Sequence, residues 1–240
     1  MTWSSIQISG KTADVFVPQQ SRETPAAVIH LHGHGLTTLK DNAAFTAELE
    51  KHGLHCLCPH GQRSWWLDRV CEEFDPEVAP LDYLMNDVVP WIETNWKIQP
   101  PAIALSGISM GGQGALQLAY RHARTFPIVA AISPAIDFNK WYGMGAPLDQ
   151  MFEDAEDARQ ATVTLQLHPL NWPRCQMFVC DPTDTDWMEG CERLASKLYS
   201  SGIPYEHDFE TSNGGHSWDY FEHIAPKVFD FIARSLEPVG

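Results

Sequence analysis

The sequence predicts an α/β protein in which a mostly parallel central sheet of seven to eight strands carries helices on both faces. Three observations predict it. Short apolar runs rich in β-formers recur along the chain, segments with apolar residues at helical spacing lie between them, and a serine flanked by glycines stands where one such run meets the next helical segment. At 240 residues, with 44% hydrophobic and 20% charged side chains, the chain reads as one globular domain over residues 1–240 with a sizeable core.

Taken in order, residues 6–8 and 13–17 read as an antiparallel hairpin at the sheet edge, turning at Ser9, Gly10 and Lys11. The central strands are 26–31, 54–58, 102–106, 128–132 and 176–180, with a further strand at 205–209. Between them, residues 42–52 and 81–96 have helical spacing, and Pro90 is expected to kink the second. Residues 110–124 form a helix rich in small side chains. As a group its Gly111, Gly112 and Gly114 are poor helix formers, so close packing against a strand is the physical reason to have them. At the end, 218–225 and 226–236 read as a helix broken or restarted at Pro226, a residue suited to a first helical position. The longest connection without a strand, 138–172, reads as a small cap insertion. Its Glu153, Asp154, Glu156 and Asp157 fit a solvated helix face better than a metal site.

A formal net charge of -15 disfavours nucleic acid and anionic membrane surfaces as partners, and favours a neutral small-molecule substrate over a polyanionic one. No basic segment followed by an apolar run opens the chain, and no stretch approaches the ~18 apolar residues of a membrane span, so a cytoplasmic location is expected. Cys56, Cys58, Cys71, Cys175, Cys180 and Cys191 lack zinc-site spacing and are expected to be free, mostly buried thiols.

Gly107-Ile108-Ser109-Met110-Gly111 fits G-x-S-x-G, directly after a predicted strand and at the head of a predicted helix. Glycine on both sides leaves room for the sharp turn that exposes a serine hydroxyl, and the helix N-terminus supplies positive potential. Ser109 is therefore the candidate nucleophile, with the Met110 N–H aimed at a developing oxyanion. Of the eleven histidines, His216 is the best placed base, because it follows the last strand on a loop with Gly214 and Gly215 and precedes the last helix. His52, His122, His207 and His223 fall inside predicted regular elements and are weaker candidates. A carboxylate must orient the imidazole. Asp184 is favoured on the loop 181–186, with Asp181 and Asp186 as alternatives there and Asp137 on the preceding strand's loop as a fourth.

His30-Leu31-His32-Gly33-His34-Gly35 ends the first central strand with the histidine-glycine pattern of a loop that gives the second oxyanion N–H, from His34 or Gly35. A competing reading puts alternate residues on one strand face, so that His30, His32 and His34 hold zinc. No accompanying ligand motif supports it, and serine chemistry needs no metal or other cofactor.

The run from Gly107 through Leu116, with Ser133-Pro134-Ala135 and Gly214-Gly215-His216-Ser217-Trp218-Asp219-Tyr220, resembles the Putative esterase branch of the α/β-hydrolases. That branch includes esterase D or S-formylglutathione hydrolase, feruloyl esterases and the antigen-85 mycolyltransferases. The likeness spans nearly the whole chain and takes in Pro59-His60-Gly61-Gln62-Arg63-Ser64-Trp65-Trp66, which looks like the family's cleft-bordering loop. The resemblance implies an α/β-hydrolase fold and Ser109, His216 and Asp184 as nucleophile, base and acid. The family's Gly-x-x-Asp stands here as Asp181-Pro182-Thr183-Asp184, and the serine-glycine-leucine-threonine-cysteine stretch of S-formylglutathione hydrolases is replaced by His34-Gly35-Leu36-Thr37-Thr38. The second departure argues against a glutathione thioester and the absence of a signal peptide against a secreted feruloyl esterase or a mycolyltransferase, which leaves a general esterase acting on small ester substrates as the expected function. Trp65, Trp66, Trp141 and Tyr142 are the candidate substrate-binding aromatics. The competing functions are a catalytically silent binding protein on the same fold and a metal-dependent hydrolase built on His30, His32 and His34.

Overall fold

A computed structural model describes residues 3–237. Strands β1 (Trp3–Ile8) and β2 (Lys11–Phe16) form the edge hairpin, pairing Trp3 with Phe16 through to Ile8 with Lys11. The turn is carried by Ser9 and Gly10, both at positive φ. β2 then runs antiparallel to β4 (His55–Pro59), and from there every pairing is parallel. With β3 (Ala27–Leu31), β5 (Ile103–Ile108), β6 (Ile128–Ile132), β7 (Cys175–Val179) and β8 (Glu206–Asp208), the order across the sheet is β1-β2-β4-β3-β5-β6-β7-β8. This is the mostly parallel sheet that the strand pattern predicts.

Both faces of the sheet are covered, and the period of two along each strand sends alternate side chains to opposite layers. Val28, Ala104, Ile128, Ala130, Met177 and Val179 meet α1 (Ala43–Lys51) and α9 (Trp218–Ser235) through Phe45, Leu49, Ile224 and Phe229. Ala27, Ile29, Leu105, Val129, Ala131 and Phe178 join the other layer, which holds Ile92 of α3 (Val89–Trp96), Leu116 of α4 (Met110–Arg121) and Leu194 of α8 (Met188–Ser200). Ahead of α3, α2 (Pro80–Tyr83) passes through a π-helical turn at Leu84–Val88, so the distortion expected around Pro90 falls just before it.

One element differs. α9 runs unbroken through Pro226. The missing N–H and ring crowding there are offset by tertiary packing, because Tyr220, Phe221, Ile224 and Ala225 before the proline and Val228, Phe229, Phe231 and Ile232 after it bury one continuous stripe.

Within 138–172 the chain makes a 3₁₀ turn (Phe138–Trp141) and three short helices, α5 (Leu148–Met151), α6 (Ala155–Gln160) and α7 (Val163–Gln166). The acidic residues there are spent locally: Asp154 caps α6 by accepting from the Asp157 amide, Glu156 pairs with Arg159, and Asp157 with Arg69. All six cysteines are free, and all but Cys175 are buried. Among the described residues no helix is long and apolar enough to cross a membrane.

Candidate active site

Ser109 joins β5 to α4 with φ 55° and ψ −118°, a backbone conformation that costs an L-residue energy and must be held from outside. The holding contacts are visible. The Ser109 amide donates to the Ile132 carbonyl at 2.9 Å, and its carbonyl accepts from the Gln113 and Ala135 amides at 3.1 and 3.0 Å. A Cβ on Gly107 would overlap the Gly111 backbone, and one on Gly111 would overlap the Leu31 carbonyl, so both glycines of the motif are demanded by close approach.

His216 lies on the loop between β8 and α9, and Asp184 on the loop after β7, so the parallel strands β5, β7 and β8 deliver all three groups to the carboxyl end of the sheet. The Ser109 hydroxyl lies 3.0 Å from His216 Nε2, and His216 Nδ1 lies 2.7 Å from Asp184 Oδ2. Nδ1–H donating to the carboxylate leaves Nε2 as the acceptor facing the serine. The Asp184 side chain is 1% exposed. Its Oδ1 accepts from the Asp186 and Trp187 amides at 3.2 Å, and the Cys180 thiol approaches Oδ2 at 3.6 Å.

The other carboxylates are engaged elsewhere. Asp186 is exposed at the cleft rim, Asp137 pairs with Lys140 and Arg193, and Asp181 is fully buried under hydrogen bonds from the two loops. The four weaker histidine candidates lie elsewhere: His52 pairs with Asp230, His122 caps the end of α4, His207 lies against Phe209, and His223 is on the exposed face of α9.

Gly33 approaches the elbow so closely that a Cβ there would stand 3.3 Å from the Ile108 carbonyl and 3.4 Å from Ser109 Cβ. This places the Gly33-His34-Gly35 segment beside the hydroxyl. The His34 and Met110 amides have no hydrogen-bond partner among the described residues. The three histidines of this stretch do not converge. β3 ends at Leu31, so the alternation that would put them on one face stops there. His30 packs on Phe45 with Nδ1 3.4 Å from the Ser106 hydroxyl, whereas His32 packs on Trp66 and accepts the Gly61 amide at Nε2. His34 stands between Trp65 and Trp141. Burial pushes the His30 imidazole down to about 3 and His32 to about 4, and it lowers His34 as well.

A cleft of about 330 Å³ opens over Ser109 and His216. It is lined by the apolar side chains Ile108, Trp141, Trp187, Trp218 and Phe221, together with His34 and Thr37. Of the four aromatics expected to bind substrate, only Trp141 is among these. Trp65 and Trp66 are 1% and 0% exposed. The Trp66 ring fills space left by Gly61 and Gly114 and donates its indole N–H to the His32 carbonyl, so it braces the loop from beneath. Tyr142 turns away and donates its hydroxyl to the Glu153 carbonyl. Sequence reasoning missed Trp187, Trp218 and Phe221. The available signal was their position, immediately after the acid and histidine loops.

A family model described as "Putative esterase" matches residues 11–226. An acetyl esterase from Caldicellulosiruptor saccharolyticus is 20% identical over an alignment 203 positions long, which covers 77% of this chain and 73% of that protein. Among solved structures, an S-formylglutathione hydrolase from Agrobacterium tumefaciens aligns with a TM-score of 0.80 at 16% identity, covering 98% of this chain and 95% of that one. A ferulic acid esterase aligns with a TM-score of 0.76 at 15% identity, covering 97% of each chain. Both structural likenesses fit the α/β-hydrolase fold.

Proposed function

Because the chain belongs to the Putative esterase family and is a carboxylic-ester hydrolase, we propose that it works through an acyl-enzyme on Ser109, with His216 as base and Asp184 as the orienting acid. The observation that carries this reading is the unbroken hydrogen-bonded line from Ser109 Oγ to His216 to Asp184, at 3.0 and 2.7 Å.

His216 Nε2 takes the Ser109 proton as the oxygen attacks the ester carbonyl, and the Asp184 carboxylate steadies the imidazolium so formed. The carbonyl oxygen gathers negative charge where the His34 and Met110 amides stand free to donate, with the N-terminus of α4 adding positive potential. Collapse of the tetrahedral species breaks the bond to the alcohol oxygen, which leaves with the proton from His216. Water then enters and attacks the acyl carbonyl while giving a proton to His216; the bond to Ser109 Oγ breaks, the acid leaves, and His216 returns the proton to Ser109.

The aromatic wall supports a small, uncharged ester as substrate, held by contact area rather than by ion pairs. Trp141 comes from the 138–172 insertion, which supports that segment's role as a small cap over the cleft.

The reading is tested with Ser109→Ala on a panel of short p-nitrophenyl esters. The expected loss in kcat is at least about 10⁴-fold. Wild-type rates in this variant would overturn it, as would failure of the wild-type protein to react with a fluorophosphonate probe, which would instead mark a catalytically silent binding protein.

A further inference from the structure

The loops that carry Asp184 and His216 meet on a third, fully buried carboxylate. Asp181 Oδ1 accepts from the Thr183 amide at 2.8 Å, the Thr183 hydroxyl at 2.7 Å and the Ser212 hydroxyl at 3.0 Å. Its Oδ2 accepts from the Asn213 amide at 2.6 Å, the Gly215 amide at 3.0 Å and the same Ser212 hydroxyl at 3.2 Å. Thr183 immediately precedes Asp184, and Gly215 immediately precedes His216. One carboxylate thus holds the residue before each of the two groups whose separation matters.

We infer that Asp181 is a positioning residue for the proposed relay: it fastens the His216 loop to the Asp184 loop and thereby sets the contact between those two side chains. The inference rests on the roles given above to Asp184 and His216. Three physical arguments carry it. The histidine loop is soft where it matters, since Gly214 and Gly215 both sit at positive φ, 94° and 68°, where glycine adds no restraint of its own. Donors from both loops converge on Asp181, and an ionised carboxylate is the side chain that can only accept, from several directions at once. Burial alone would favour the neutral acid, yet these hydrogen bonds outweigh it and hold the carboxyl well below the usual range. The hydrogen bonds that favour the anion come from both loops.

An amide cannot substitute. Asn at 181 with its oxygen in the Oδ1 position would keep the Thr183 and Ser212 donors but present N–H to the Asn213 and Gly215 amides, and in the opposite orientation it would present N–H to the Thr183 amide. The His216 loop would then shift relative to Asp184, and a displacement of about 1 Å is enough to cost ~100-fold in rate.

The experiment compares the wild type with Asp181→Asn, reading kcat and KM on a p-nitrophenyl ester, thermal unfolding, and the far-downfield NMR signal of the His216 Nδ1–H. The expected result is a folded protein with kcat down about 100-fold, KM within about twofold, and the downfield proton lost to exchange. A folded variant with kcat within about twofold of wild type overturns the inference, and so does a loss of rate with the downfield proton intact. If Asp181→Asn does not fold, Ser212→Ala removes one strut alone. It should lower kcat about three- to tenfold at constant KM, and an unchanged kcat would overturn the inference. A wild type that hydrolyses no ester would sink the esterase mechanism instead, while the downfield proton would still report on Asp181.

Discussion

Gly111 packs so tightly under Leu31 that any Cβ at 111 would occupy the position of the Leu31 carbonyl. Helix α4 is pressed against the end of β3 at this point, and Gly33, two residues beyond β3, lies beside Ser109. Gly111→Ala is therefore expected to destabilise the fold by about 3 kcal/mol, because backbone rather than a movable side chain must give way. Urea unfolding measures it. A loss below about 0.5 kcal/mol would show that α4 can slide without penalty.

The candidate acids Asp184, Asp186 and Asp137 are separable by substitution. Asp184→Asn keeps the shape but no longer fixes the imidazole tautomer, so kcat should fall by about 10⁴-fold with little change in KM. Asp186→Asn and Asp137→Asn should remain within about threefold of wild type, since the first is exposed and the second is tied to Lys140 and Arg193. Steady-state kinetics of the three variants decide it. Equal losses at Asp184 and Asp137 would move the acid to the earlier loop.

Trp66 and Trp141 look alike in sequence and should behave oppositely. Trp66 is buried against Gly61 and Gly114, so Trp66→Ala should cost about 3–5 kcal/mol of stability. Trp141 stands on the cleft wall, so Trp141→Ala should leave unfolding within about 1 kcal/mol and shift KM among esters of different acyl size. Stable Trp66→Ala with altered ester preference would reverse the assignment.

That pair also shows where sequence reasoning stops. The short apolar runs of β-formers and the G-x-S-x-G turn are local patterns, and they located every central strand and the strained Ser109. Whether a tryptophan faces cleft or core depends on which glycine lies opposite, and Gly114 is far from Trp66 in the chain. Pro226 misled for a related reason: local preference favours a helix start there, yet the buried stripe on both sides carries α9 through it. The candidate triad was legible as three residue types at three loop ends. Asp181 was weighed only as a rival acid, because its hydrogen bonds come from loops some thirty residues apart.

Stability should fall with pH well above the carboxylate range, because His30 and His32 are buried as neutral rings. Their folded-state values lie at about 3 and about 4, whereas in the unfolded chain they take up protons near about 6.5. Below that value the unfolded state binds more protons, so acid pulls the equilibrium toward it. Each ring removes about 1.4 kcal/mol per pH unit until its folded value is reached. Urea unfolding should thus show a loss on the order of 4 kcal/mol between about pH 7.5 and about pH 5, before depressed carboxylates such as Asp208 begin to contribute. His30→Gln should roughly halve that slope. A flat profile across this window would mean that the two imidazoles are reached by water and protonate in place.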